Sequence, residues 1–126
     1  QLNVIVKPLV GPSSILLALM ASGMNGQQFQ FVGYLPIDSQ QRLTRIKELE
    51  EESVRKKCTQ IFIETPYRNN QMLKTILKTC NPSTRLSIAS ELTSSTELIK
   101  TKLIADWKNE KVDLHKKPVI FLLIAE

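Results

Sequence analysis

Cysteine, histidine and glycine are scarce in this chain of 126 residues, and each scarcity removes a class of chemistry. The two cysteines, Cys58 and Cys80, stand far apart with no Cys-x-x-Cys spacing, and His115 is the one histidine. That set supports neither a zinc site nor a disulfide framework, so no metal is expected and both thiols read as reduced and buried. A histidine-supported nucleophile would depend wholly on His115, which sits among lysines in a polar stretch and reads as a solvated surface residue. The four glycines never form G-x-G-x-x-G or G-x-x-x-x-G-K-[ST], and neither H-E-x-x-H nor G-x-S-x-G occurs. Long apolar runs are missing too. No segment is long enough to span a bilayer and no leader pattern is read, so a cytoplasmic location is expected.

What is present describes one globular domain, 1–126. Hydrophobic residues make up 42% of the chain, enough for a single core, and charges of both signs are interspersed without a block that would mark a disordered tail. The net charge of +5 favours an anionic partner without identifying it. Because the chain opens at Gln1 directly before "LNVIVKPLV", it reads as cut just ahead of a strand, and further functional residues are expected upstream.

Strand and helix signals alternate. Leu2 to Val6 reads as a strand, and "VGPSSILLALMASGMNG" as a turn and a helix with Pro12 in its first turn and Ile15, Leu16, Leu19 and Met20 on one face. "FQFVGYLP" reads as a strand alternating Phe29, Phe31 and Gly33 on one side. "DSQQRLTRIKELEEESVRKK" reads as a polar helix capped by Asp38, with an apolar stripe of Leu43, Ile46, Leu49 and Val54. "TQIFIE" is a strand. The next helix carries Met72, Leu73, Ile76, Leu77 and Cys80 on one face. "TRLSIAS" and "TELIKTK" are close enough to pair antiparallel, Trp107 reads as a core anchor, and "PVIFLLIAE" as a central strand covered on both sides. The expectation is an α/β domain with a mixed, mostly parallel sheet.

Three places combine a strand end with unusual residues. Gly11-Pro12-Ser13-Ser14 would let an anion approach a helix N-terminus, or form a capped turn and nothing more. Glu64 follows the apolar run "IFI". It is either a ligand-facing carboxylate at the carboxyl end of a strand or a structural ion pair to Arg68, and the residues alone leave both readings open. Thr65 and Pro66 suit the start of a helix. "ASELTSS" reads equally as a hydrophilic turn or a binding loop.

Taken in order, Gly11-Pro12-Ser13, Gly33-Tyr34-Leu35-Pro36 and Glu64-Thr65-Pro66-Tyr67-Arg68 resemble the carboxyl-terminal half of the tetrapyrrole methylase family of S-adenosylmethionine-dependent methyltransferases. The similarity is strongest to the branch that methylates a ribose 2′-hydroxyl in small-subunit ribosomal RNA. It runs on through "ASELT" to the last strand. The resemblance implies a five-stranded mixed sheet and a cofactor held in a cleft against the chain's own N-terminal domain, which carries the Gly-rich loop. It implies cofactor contacts at Glu64, Thr65, Leu92 and Pro118, and a substrate cleft near Gly11, Ser13, Ser14, Tyr34, Pro36, Tyr67 and Arg68. A homodimer is common in such proteins. Val10 replaces the proline common in the family, Ser14 and Tyr67 replace the alanine and histidine of the ribosomal RNA branch, and "KKPVIFLLIAE" is somewhat more similar to the tetrapyrrole-modifying members. Ribosomal RNA and a precorrin-like tetrapyrrole therefore both stand as substrates. A non-catalytic RNA-binding or interaction module is the reading from another class, weakened by the 6% aromatic content, most of it in expected strands.

Overall fold

The structure, a computed structural model, describes residues 28–90 and 98–126 together with Ile15, Ala18, Leu19, Ser22 and Gly23. Its strands are β1 (Phe29–Tyr34), β2 (Thr59–Ile63), β3 (Arg85–Ser90), β4 (Leu98–Leu103) and β5 (Val119–Ile124). Within residues 28–90 and 98–126 the helices are α1 (Ser39–Lys56), α2 (Asn69–Thr79) and the short α3 (Ile104–Trp107), with a 3-10 turn at Pro66–Arg68 ahead of α2.

The five strands form one sheet in the order β1-β2-β5-β3-β4. Only β1 and β2 pair parallel; β2 with β5, β5 with β3, and β3 with β4 are all antiparallel. The sheet is mixed as expected, but mostly antiparallel rather than mostly parallel. The helix crossovers do point β1, β2 and β3 the same way, as alternating strands and helices require. The last strand then inserts between β2 and β3 and turns both of those neighbours antiparallel. β5 is fully central, and its run Val119 to Leu123 is buried throughout.

Each face of the sheet carries its own core. On one, Phe62, Leu86, Ile88, Phe121 and Leu123 pack under Ile46 and Leu49 of α1, Met72 and Ile76 of α2, and Trp107. Phe62 and Phe121 stack there with centroids 5.6 Å apart. Trp107 is the anchor its sequence suggested, with its indole N–H donating to the Leu86 carbonyl at 2.8 Å. On the other face, Ile61, Ile63, Ala89, Ile120 and Leu122 meet the helical residues Ala18 and Leu19.

The Asp38 carboxylate caps α1, accepting from the Gln41 N–H at 2.9 Å. The apolar stripe of α1 is narrower than read: Val54 is 47% exposed, and the buried face runs through Arg42, Ile46, Leu49 and Ser53 instead. Ser53 is useful there because its hydroxyl donates to the Cys58 carbonyl and accepts from the Ala125 N–H, tying the end of α1 to the residue before β2 and the residue after β5. Of the two i,i+4 charge pairs the spacing allows in the last turns, Lys56 does reach Glu52 at 2.9 Å. Arg55 sits 3.9 Å from Glu52.

A register shift between Phe31 and Gly33 corrects the reading of β1. Gly33, at φ +84°, pairs with Phe62, and Tyr34 pairs with Ile63, so Tyr34 joins Phe31 on the Ile61 side and Gly33 leaves it. Glycine takes that left-handed conformation without the Cβ penalty. Because β1 is an edge strand, Phe29, Phe31 and Tyr34 remain 47%, 46% and 65% exposed.

Candidate functional site

Strand direction collects the candidate residues at one end of the sheet. The carboxyl ends of β1, β2 and β3 and the amino ends of β4 and β5 all lie there. Tyr34, Ile63, Ile120 and Ala89 form a row across the sheet. One residue further out stand Glu64, Val119 and Ser90, with Pro118 just before β5. Open α/β sheets receive ligands at such an end. Gly11, Ser13, Ser14 and Leu92 lie outside the described residues.

The two oxygens of Glu64 differ in their partners. Oε2 accepts from the Thr65 N–H at 2.9 Å and the Thr65 hydroxyl at 3.4 Å, and lies 3.8 Å from the Arg68 guanidinium. Oε1 is buried and has no partner, on a residue only 6% exposed. A buried acceptor without a donor costs on the order of 1–3 kcal/mol, more when it is charged. Ser90, 2% exposed, repeats the pattern on the other side of Val119: its hydroxyl is also buried and unpartnered. Strand alternation puts Ser90 and Val119 on the face of Ile88 and Phe121, and continuing it from Phe62 brings Glu64 to the same side. Along the sequence Ser90 marks only the end of a strand; its pairing with Val119 depends on β5 entering the middle of the sheet.

The neighbouring turns are firmly held. Arg42, 4% exposed, donates through Nε to the Pro36 carbonyl at 3.2 Å and through a terminal nitrogen to the Ile37 carbonyl at 2.8 Å. That buried guanidinium fixes the turn after Tyr34, and nothing in the spacing of α1 announced it. Thr65 precedes Pro66 as expected, but its hydroxyl makes no helix cap. It accepts instead from Arg68 at 3.3 Å, while its carbonyl accepts from the Arg68 N–H at 2.9 Å. Tyr67 projects from this turn, 69% exposed.

His115 is exposed, as its lysine-rich surroundings suggested, yet it has a partner: its ring meets that of Tyr67 edge-on, centroids 5.7 Å apart. Cys58 and Cys80 are free and buried. The Cys80 thiol is pushed up to about 12, first by burial and then by the nearby Glu50 carboxylate. Among the described residues no three His, Cys, Asp or Glu side chains gather as metal ligands, and no helix is long and apolar enough to cross a membrane.

No protein-family profile matches the chain. In sequence the chain is similar to ribosomal RNA small subunit methyltransferase I of Buchnera aphidicola (subsp. Schizaphis graminum), 34% identical over 98% of this chain and 43% of that protein. It is equally similar to the protein of that name in Vibrio cholerae, 34% identical over 98% of this chain and 42% of the other. The chain thus spans less than half the length of the curated relatives it matches. In structure it matches the methyltransferase CobJ at a TM-score of 0.55 and 14% identity, over 87% of this chain and 46% of that one. Cobalt precorrin-4 methyltransferase, a cobalamin biosynthetic enzyme, matches at 0.55 and 14%, over 88% and 48%. The resemblance read from the three motifs is therefore borne out, in sequence by the first pair and in fold by the second.

Proposed function

Taking the kinship to ribosomal RNA small subunit methyltransferase I as premise, we propose that this chain is the carboxyl-terminal half of an S-adenosylmethionine-dependent methyltransferase acting on small-subunit ribosomal RNA. The observation that carries the reading is the orphaned Oε1 of buried Glu64 at the ligand-receiving end of the sheet, flanked across Val119 by the orphaned hydroxyl of Ser90. Two unpartnered polar atoms on one face suit a ligand rich in amino and hydroxyl donors, which the amino acid and nucleoside parts of S-adenosylmethionine provide. Glu64, Thr65, Ser90 and Pro118 would hold it, with Leu92 beyond β3 as a further contact.

When bound, the cofactor supplies an electrophilic methyl group on a sulfonium. The chain's own residues have simpler work. Glu64 accepts a donor and is kept in place by Thr65 and Arg68; Pro118 and Val119 give an apolar wall; an N-terminal domain closing over this end excludes water. Positioning and desolvation of that kind are what methyl transfer chiefly asks of a protein. Tyr34, Pro36, Tyr67 and Arg68, together with Gly11, Ser13 and Ser14, form the substrate side.

Calorimetry with S-adenosylmethionine on the full-length protein and on residues 1–126 alone, followed by transfer of labelled methyl to small ribosomal subunits, tests this. Binding and transfer by the full-length protein, with binding by the isolated half at least about tenfold weaker, is expected from a site shared between two domains. Failure of the full-length protein to bind the cofactor overturns it. The fold shared with a precorrin methyltransferase favours a second substrate, a tetrapyrrole, and methyl transfer to a precorrin but not to the ribosomal subunit would select it.

A further inference from the structure

Next to the orphaned carboxylate the chain builds a surface of a different kind. Tyr67 stands on the 3-10 turn, 69% exposed. The His115 ring meets it at 71° with centroids 5.7 Å apart, and the Lys116 ammonium lies 5.9 Å from the ring centroid, within cation–π range. Arg68 follows Tyr67 in the turn, and Lys117 follows Lys116 in the loop, both at least partly exposed.

This arrangement is held by contacts that reach across more than forty residues of sequence. Asn69, fully buried, donates through Nδ2 to the Leu114 carbonyl at 3.2 Å and the Lys117 carbonyl at 2.6 Å. Asn70 donates to the Asp113 carboxylate at 2.9 Å and accepts from the Leu114 N–H at 2.8 Å. The Asp113 carboxylate also accepts from the His115 N–H at 3.1 Å, and the Lys116 N–H donates to the Pro66 carbonyl at 3.0 Å. Lys116 is held at φ +63°, a conformation that costs a side-chain-bearing residue free energy and persists only where surrounding bonds impose it. The clamp orders a loop whose outward product is an exposed aromatic pair with a cation beside it. Of the loop's two acids, Glu110 is paired with Lys100 and Lys102, and Asp113 is held by Asn70 and the His115 N–H, so Lys116 and Lys117 outnumber Asp113 as charges beside the ring.

We infer that Tyr67, His115 and Lys116 form a stacking platform for an unpaired RNA base, with Lys116 and Lys117 on the adjoining phosphates, at the edge of the methyl-transfer cleft. An aromatic face bordered by lysines suits a base and its phosphate together. The inference rests on the RNA reading proposed above and assigns it a contact surface. Tyr67 is an exposed aromatic outside the strands, of the kind such a platform needs.

The test is fluorescence anisotropy of the full-length protein with a short fluorescein-labelled single-stranded oligoribonucleotide, over a range of salt concentrations. Tyr67→Ala is expected to weaken binding about five- to a hundredfold and Tyr67→Phe by no more than about twofold, since stacking needs the ring and not the hydroxyl. Lys116→Gln is expected to flatten the dependence of log affinity on log salt by roughly 0.7. If the unmodified protein binds RNA and Tyr67→Ala binds it equally well, the platform is overturned while the RNA reading stands. If Tyr67→Phe loses as much as Tyr67→Ala, a phenol hydrogen bond replaces stacking and the inference falls. A change of oligomeric mass in Tyr67→Ala with RNA affinity unchanged marks the face as a protein contact and overturns it too. No RNA binding by the unmodified protein overturns the RNA reading itself.

Discussion

Glu50 and Glu64 are both buried carboxylates, 7% and 6% exposed, and they sit at opposite poles of use. Glu50, on α1, sends Oε2 to the Asn81 N–H at 2.8 Å and to the Thr84 hydroxyl, and so pins the connection between α2 and β3. Glu64, at the end of β2, has one oxygen engaged by its own turn and the other engaged by nothing. Burial is the same; satisfaction is not. A carboxylate whose bonds are met within the fold serves the fold, and the one left short at the end of the sheet is the one we propose for the cofactor.

Three substitutions can break or sharpen that contrast. Glu50→Ala should have the largest effect on stability, because it leaves the buried Thr84 hydroxyl without its acceptor and frees the Asn81 N–H that holds the turn. A loss of about 2–4 kcal/mol is expected from urea unfolding, and a loss under about 0.5 kcal/mol would remove Glu50 from the structural side of the comparison. Glu64→Gln keeps an oxygen for the Thr65 N–H but places an amide donor where Oε1 was free to accept. Cofactor affinity of the full-length protein should fall about tenfold or more, with stability changed by less than about 1 kcal/mol. A large loss of stability with intact affinity would reverse the assignment.

Glu110 provides the smallest effect, as an exposed counterpart. Hydrogen bonds from Lys100, at 2.8 Å, and from Lys102 lower its carboxyl to about 2. A depressed carboxylate contributes stability above its unfolded value near 4.5 and loses that contribution as pH falls toward 2. The difference in thermal midpoint between the unmodified protein and Glu110→Gln should therefore be present at pH 6, shrink below about 4.5 and vanish near 2. Because the group is solvent-screened, the difference should be small and should shrink further in high salt. A difference that grows on acidification would contradict the ion pair.

Much of the fold was legible along the chain because its signals are local. The antiparallel pairing of β3 with β4 follows from two strand signals with a short polar connection, and the central place of β5 from a run apolar on both faces. The buried faces of α2 and the core role of Trp107 followed from spacing and size. The mostly antiparallel sheet was not legible, since strand order depends on which neighbours β5 separates, and a strand carries no mark of its neighbours. The exposure of Phe29 and Phe31 was hidden for the same reason: alternation shows which residues share a face, and the edge position of β1 decides how well that face is covered.

The site divides along the same line. Glu64 could be picked out as a carboxylate at the end of an apolar strand, and Thr65-Pro66 as a helix start. Ser90 opposite it, Arg42 beneath the Tyr34 turn, and His115 against Tyr67 could not, because each acts on residues distant in sequence or across the sheet. The amino-acid sequence by itself determined the strands and helices, the apolar faces they bury and the three motifs that tie the chain to methyltransferases. The tertiary structure alone decided which polar atoms are satisfied and which are not. Local pattern is set by neighbours along the chain, whereas hydrogen-bond satisfaction is set by neighbours in space.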